Sequence, residues 1–127
     1  MPEQRGREHH YKRVADRLRE ELSAMLEGEL GDPRIGLASV TEVLLAPDAK
    51  SARIYVAVAG DDAEADRTLE GLRADKGYIR REVGVRLGMA RPPELVFHID
   101  RSQEYSARIE QLLGRTKKRQ RKKNDKQ

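Results

Sequence analysis

The chain has 127 residues, of which 38% are charged and 37% hydrophobic, so it has the length of one domain with a small core. It contains no cysteine, which excludes a disulfide scaffold and a cysteine-ligated metal site and fits a reducing cytosol. No apolar run approaches the roughly 18 residues that a membrane helix needs, and the N-terminus lacks the apolar stretch of a signal peptide. We therefore expect a cytoplasmic protein that does not bind a membrane.

The first predicted element is an amphipathic helix. Its apolar residues recur at helical spacing and are Val14, Leu18, Leu22, Met25 and Leu26. Gly28 and Gly31 should end the helix, and residues 31–34 read as a turn. Residues 1–10 precede this apolar line, and we expect them to form a flexible N-terminus.

Two strands are predicted next. Thr41, Val43 and Leu45 alternate onto one face of the first strand. The second strand places on one face Ala52, Ile54, Val56 and Val58. Because the link Pro47–Lys50 is short and rich in turn residues, the pair should form an antiparallel hairpin.

A pair of helices should follow the hairpin. Asp61 or Asp62 can cap the first helix. The apolar line of the pair consists of Ala65, Leu69, Leu72, Ile79, Val83 and Leu87. The helical spacing of these apolar residues continues nearly in register across Gly77, so we expect two helices that meet at a kink at this glycine.

The last predicted elements are a strand and a helix. The strand alternates Leu95, Phe97 and Ile99, and Ser102 can cap a helix that carries Tyr105, Ile109, Leu112 and Leu113 and ends at Gly114. Three strands with one apolar face each need helices on that face. The expected fold is therefore α+β, a two-layer α/β sandwich of order α-β-β-α-kink-α-β-α, with the other sheet face exposed.

The charge is distributed unevenly along the chain. Residues 115–127 hold eight of the 26 Lys and Arg but one of the 22 acids, a net charge of +7 that leaves −3 for residues 1–114. This segment has no aliphatic or aromatic residue, so it should be a disordered basic tail. It can act as an arm that contacts nucleic-acid phosphate, or it can be a solubilising end.

No sequence pattern supports catalysis. His9 and His10 are adjacent and cannot face one metal ion from one side of a helix, and His98 lies on the polar face of a strand. Neither a phosphate-binding loop nor a dinucleotide-binding motif is present. We therefore expect a protein that is not an enzyme, with no cofactor, no metal ion and no small-molecule substrate.

The segment after Gly77 is locally basic within an acidic body. Its cations, opposed by Glu82 alone, are Lys76, Arg80, Arg81, Arg86 and Arg91. Because glycine has no Cβ, a phosphate backbone could approach it closely between the arginines. We interpret this segment as an RNA-binding surface, with a weaker second patch at Arg13 and Arg17 of the first helix. The alternative is a structural link whose arginines are solvated.

The sequence also resembles the bacterial ribosome-binding factor A family over nearly all of residues 11–113. The most specific motifs are Arg13-Val14-Ala15, Asp32-Pro33-Arg34, Gly77-Tyr78-Ile79-Arg80, Pro93-Glu94-Leu95, and Asp100 with Ser102 and Arg108. The resemblance implies a type II KH-like domain, here residues 11–114, in which an Ala-x-Gly kink replaces the usual GxxG loop. At that position the chain reads Asp75-Lys76-Gly77, so an aspartate replaces the alanine.

The resemblance further implies a role. Members of this family bind free small (30S) ribosomal subunits and their precursors, assist late maturation of 16S rRNA including its 5′ end, and are linked to cold adaptation. We expect a monomer that acts in this way. Two other classes are left open by the residues alone, a DNA-binding helix-turn-helix protein and a protein–protein adaptor. The scarcity of aromatic residues favours contacts with phosphate and RNA shape over base stacking.

Overall fold

The computed structural model describes residues 2–102, with side chains from residue 9 onward. Its elements are α1 (Pro2–Ala24), a wider π turn (Met25–Glu29), β1 (Ala38–Leu45), β2 (Ser51–Val58), α2 (Asp62–Ala74), α3 (Lys76–Leu87) and β3 (Glu94–Ile99). The helix and the basic tail predicted for residues 103–127 lie outside the described residues.

The first helix is longer than its apolar line. It begins at Pro2, so the structure places residues 2–10, expected to form a flexible N-terminus, within α1. At the other end the π turn brings Met25 and Leu26 into the core. Within this turn Gly28 has a φ of 143°, a conformation that glycine adopts at little cost. The helical backbone conformation is therefore interrupted at the first of the two glycines predicted to end the helix.

The three strands form one mixed sheet in the order β1-β2-β3. β1 and β2 are antiparallel, which confirms the predicted hairpin, whereas β2 and β3 are parallel. A parallel pair requires a crossover connection, and α2 and α3 supply it on one face of the sheet. The order of elements up to β3 and the α+β class are therefore confirmed.

The pattern predicted for β1 is wrong at one residue. Strict alternation put Thr41 on the core face with Val43 and Leu45, but the register shifts between Val40 and Glu42. This β-bulge turns Val40 into the core, where it is 6% exposed, and leaves Thr41 outside the core cluster. A bulge adds one residue to a strand, so it reverses the alternation on one side of itself.

The hydrophobic core lies between the sheet and the helices. Every strand contributes, and the most deeply buried strand residues are Ala52, Ile54, Val56, Leu95 and Phe97. From the helices, the core takes Leu18, Leu22, Leu72, Ile79 and Val83. These residues are among those that the sequence pattern assigned to the apolar faces, so those faces are confirmed.

The joint between α2 and α3 differs from the predicted one. The side chain of Asp61 caps α2 by accepting a hydrogen bond of 2.9 Å from the Glu64 amide, as predicted. The break in the helix falls on Asp75, with φ −89° and ψ 0°, and not on Gly77. Gly77 lies in the first turn of α3 and has no positive φ. The glycine is therefore not needed to make the bend.

Candidate nucleic-acid interface

A cleft of about 590 Å³ lies between α3 and the loop that follows it. Its lining residues are Gly77, Arg80, Arg81, Gly84, Val85, Met89, Ala90, Arg91 and Pro92. Four of the residues predicted to bind RNA thus share one concave surface: Gly77, Arg80, Arg81 and Arg91.

The loop is held close to α3 by the backbone. Gly88 ends the helix in the left-handed conformation, with φ 66°, and the Met89 amide then donates a 2.8 Å hydrogen bond to the Gly84 carbonyl. A Cβ on Gly84 would lie 3.1 Å from both the Met89 carbonyl oxygen and the Pro92 ring. A side chain at position 84 would therefore push the loop away, and glycine allows the two walls of the cleft to meet.

Arg80 is a structural part of this cleft. Its Nε and Nη2 atoms donate hydrogen bonds of 3.1 and 2.8 Å to the carbonyl oxygen of Pro92. The guanidinium therefore joins α3 to the loop across the cleft. Both bonds satisfy a neutral acceptor, so the positive charge of Arg80 is not neutralised by them.

Arg81 and Arg91 also carry charge that is available to a ligand. Both are exposed, and neither forms a hydrogen bond or ion pair with another residue of the described part of the chain. Gly77 is exposed beside them, and a Cβ there would meet only the Nη1 atom of Arg81, at 3.7 Å. Two guanidinium groups without a partner in the described residues, next to an open backbone, offer N–H donors and positive charge that complement the acceptor oxygens and the negative charge of a phosphodiester.

Lys76 lies at the start of α3 and is already paired. Its Nζ lies 2.8 Å from Oε1 of Glu94 in β3, and this contact holds the pKa of the Glu94 carboxyl below its usual range. Both side chains are at least one-third exposed, so the pair contributes little to stability. Lys76 can therefore exchange this partner for a phosphate.

Arg86 differs from the other predicted RNA-binding residues. It does not line the cleft, and its guanidinium bridges Glu21 of α1, Glu29 of the π turn and Glu82 of α3. These carboxylates raise its pKa above the ordinary arginine value, Glu29 having the largest effect. Three acidic partners leave little of its charge for a polyanion, and they give Arg86 a role in joining α3 to α1.

We expect Arg86→Gln to lower the melting temperature, because three carboxylates would then face one another without a cation. The affinity of the folded protein for RNA should change little. Thermal melts and RNA binding below the melting transition on one sample measure both effects. Arg91→Gln is the matched control and should show the reverse pattern. A normal melting temperature with weak RNA binding in Arg86→Gln would return Arg86 to the RNA-binding set.

The patch predicted on α1 is only partly connected to α3. Arg17 donates a hydrogen bond of 3.4 Å from Nη2 to the carbonyl oxygen of Arg86, near the end of α3. Arg13 is exposed one turn earlier on α1. Neither residue lines the cleft, so α1 offers a separate basic surface at most.

A second cavity, of about 640 Å³, adjoins the α2–α3 joint and has the opposite character. It is lined by residues 29–34 with Asp75 and Tyr78. Arg34 binds Asp32 at 2.7 Å and keeps the pKa of that carboxyl low, whereas burial and the neighbouring Asp32 raise the pKa of Asp75. Acids outnumber Arg34 here, so a phosphate is disfavoured, and this cavity is opposite in charge to the cleft between α3 and its following loop.

The apolar part of the cleft was not predicted from the sequence. Val85 is 77% exposed in the cleft, beside Met89 and Ala90. The spacing of Gly84 and Gly88 is the signal that could have indicated it, since two glycines one helical turn apart allow a loop to fold back on the helix.

The described residues offer neither a membrane span nor a metal cluster. Within residues 2–102 no helix is both long and apolar enough to cross a membrane. The same part of the chain contains no group of three or more His, Asp or Glu residues arranged to hold a metal ion.

Comparison with known proteins identifies relatives of the whole domain. The sequence profile described as ribosome-binding factor A matches residues 10–113. Ribosome-binding factor A of Koribacter versatilis is 55% identical over 117 residues, which cover 92% of this chain and 95% of that protein.

Solved structures give the same fold. The crystal structure of ribosome-binding factor A from Thermus thermophilus superposes with a TM-score of 0.63 at 24% identity, over 72% of this chain and 98% of the other. A homology model of the Thermus thermophilus factor was fitted into a cryo-EM map of a 30S complex with that factor. It superposes with a TM-score of 0.59 at 26% identity, over 70% of this chain and 93% of the other.

Proposed function

Because the chain belongs to the ribosome-binding factor A family, we propose that it binds the small (30S) ribosomal subunit and its precursors and assists late maturation of 16S rRNA, including processing of the 5′ end. The complex fitted for the Thermus thermophilus factor supports this partner. In this proposal the protein acts in the cytoplasm as a monomer, supports growth in the cold and catalyses no reaction.

The cleft beside α3 is the observation that carries the mode of binding. It combines Arg81 and Arg91, which have no partner among the described side chains, with the exposed backbone of Gly77, and Arg80 joins its two walls. Phosphate contacts of this kind position a protein on RNA without reading its sequence. We propose that one rRNA backbone segment lies along this cleft and that Lys76 joins it after releasing Glu94.

The remaining parts of the chain support that contact. We propose that residues 11–114 form the RNA-binding domain and that residues 115–127 act as a basic arm. With a charge of +7, the arm would raise the rate of association at low salt, and its effect would fade as salt screens it.

Sedimentation of cell extract on sucrose gradients tests the proposed partner. At low salt the protein should sediment with free 30S subunits and not with joined ribosomes, and high salt should release it. Sedimentation with DNA, or at the position of the free protein at every salt concentration, would contradict the proposal.

Gly77→Ala should separate stability from binding. Alanine is favoured over glycine in a helix by up to about 1 kcal/mol, and the structure has room for the methyl group, so the melting temperature should rise or stay the same. Affinity for 30S subunits should fall, and Gly77→Val should lower it further, because each side chain stands where the phosphate would approach. Melts and filter binding on the same samples measure this. Parental affinity in Gly77→Val would show that close approach to this backbone is not needed.

A further inference from the structure

Asp75 lies where α2 and α3 join, and its backbone belongs to both helices. Its amide donates a 2.9 Å hydrogen bond to the Gly71 carbonyl, and its carbonyl accepts one of 2.9 Å from the Ile79 amide. An aspartate at this position commonly caps the helix by accepting a hydrogen bond from an amide of the first turn. In α3, every residue of which the structure describes, the Asp75 carboxyl forms no such cap. It lines the second cavity instead, together with Asp32.

Asp32 is a fixed negative charge in this cavity. Its Oδ1 accepts hydrogen bonds of 2.9 and 3.1 Å from the amide and Nε of Arg34, and its Oδ2 accepts one of 2.7 Å from Nη2. The Asp32 side chain is 10% exposed, and these bonds hold the pKa of its carboxyl well below the usual range. The loop that carries both residues is fastened to α2, because Oγ1 of Thr68 accepts a 3.2 Å hydrogen bond from the Gly36 amide.

The carboxyl groups of Asp32 and Asp75 are hydrogen-bonded to each other. Two carboxylates offer only acceptors, so this contact requires that one of the two groups carries a proton. Arg34 keeps Asp32 ionised, and the proton therefore lies on Asp75. Partial burial first and the neighbouring Asp32 second raise the pKa of the Asp75 carboxyl, in agreement with this placement of the proton.

The other charged and titratable groups near Asp75 do not reverse this preference. Arg34 favours an ionised Asp75, but burial and Asp32 outweigh it. The remaining groups at the joint are Glu29, which is paired with Arg86, Tyr78 in the cavity, Glu70 and Arg73 on α2, and Lys76, which is paired with Glu94.

An ionised Asp75 would compete with a phosphate at the start of α3. Lys76 and Gly77 are the first two residues of that helix, so their amides lie at the positive end of its dipole. A carboxylate on Asp75 would be attracted to these amides and would place a negative charge beside the phosphate that approaches Gly77. A neutral Asp75 that stays bonded to Asp32 leaves the amides to the phosphate.

We propose that Asp75 regulates rRNA binding at the cleft beside α3: its carboxyl keeps the proton shared with Asp32 while rRNA is bound, and release of that proton weakens the complex. The proposal rests on the proposed function, because it takes the rRNA backbone to lie at Gly77. Binding then takes up a proton, so the affinity falls as the pH rises through the pKa of Asp75. If rRNA raises this pKa by one unit, the loss of affinity is about tenfold.

Binding to 30S subunits at constant ionic strength, from about pH 5 to about pH 8, tests the proposal. Asp75→Asn keeps a hydrogen-bond donor for Asp32 and has no charge at any pH, so it imitates the protonated side chain. Across this range the parent should lose about tenfold more affinity than Asp75→Asn. Asp66→Asn removes the same charge from an exposed position on α2 and should keep the pH profile of the parent. Titration of the histidines and of the subunit is common to all three proteins.

The stability of the free protein gives a second readout. Because the folded chain holds the Asp75 proton more tightly than the unfolded chain, the stability it contributes is present at low pH and is lost as the pH rises through the folded pKa. Asp75→Asn should therefore melt at or above the temperature of the parent at neutral pH. The Cγ resonance of Asp75 in ¹³C NMR, assigned by its absence in Asp75→Asn, should titrate above the usual aspartate range.

Three results would overturn the proposal alone. These are one common pH profile of 30S binding for the parent and Asp75→Asn, an equally flattened profile in Asp66→Asn, and an Asp75 resonance that titrates in the usual aspartate range. Failure of all three proteins to bind 30S subunits at any pH would contradict the proposed function, and the regulation with it.

Discussion

The double substitution Arg81→Gln/Arg91→Gln should weaken binding to 30S subunits by at least about 1.5–3 kcal/mol, the range for one hydrogen bond to a charged group. Both side chains are exposed and have no partner within residues 2–102, so the fold should not change. Each lost phosphate contact should also reduce the slope of log K against log salt by about 1, giving a change of about 2 for the pair. Binding titrations from low to high salt measure both quantities.

The matched control is Arg19→Gln/Arg67→Gln, which removes the same charge from exposed positions on α1 and α2. It should keep most of the affinity, with a small uniform loss from the lower net charge. If both double variants lose equal affinity and equal slope, binding depends on net charge alone. The cleft would then have no specific part in it.

Ile79→Ala should destabilise the protein by about 2–5 kcal/mol, the usual range for truncating a fully buried isoleucine. Ile79 is 0% exposed and belongs to the core cluster, two residues before Arg81 on α3. Its loss would leave a cavity under the helix that presents the cleft. Urea unfolding measures the free energy, and at temperatures where the variant stays folded its RNA affinity should fall only slightly.

Val85→Ala on the same helix is the control for this prediction. Val85 is exposed in the cleft, so the free energy of unfolding should change by no more than about 0.5 kcal/mol. A large loss of stability in Val85→Ala, or none in Ile79→Ala, would contradict the assignment of these two faces of α3.

Local sequence pattern was sufficient for most of the fold. Apolar spacing identified the core face of α1, and alternation identified the core residues of β2 and β3, because each of these elements keeps one period along its length. Family resemblance, and not the residue pattern, indicated the kind of RNA-binding protein. The residue pattern did indicate the basic character of α3, since charge is visible in sequence.

Features that depend on contacts between residues far apart in the sequence could not be predicted from local sequence pattern. The bulge at Thr41 is linked to Asp100, which lies 59 residues later. In the sequence, nothing distinguishes Arg86 from the other cations of α3, because its partners Glu21 and Glu29 are close to it only in the folded chain. The sequence pattern predicts the bend at Gly77 and not at Asp75, because glycine is the residue that most often permits a break and nothing local marks the aspartate.

Directed hydroxyl-radical cleavage tests most directly whether the cleft beside α3 faces rRNA. An iron chelate attached through Val85→Cys, at a position that is 77% exposed in the cleft, should cleave the 16S rRNA of bound 30S subunits at discrete positions. The same chelate attached through Arg67→Cys on α2 should give weaker cleavage or cleavage elsewhere. Absence of rRNA cleavage from position 85 in a complex that still forms, with strong cleavage from position 67, would contradict the account.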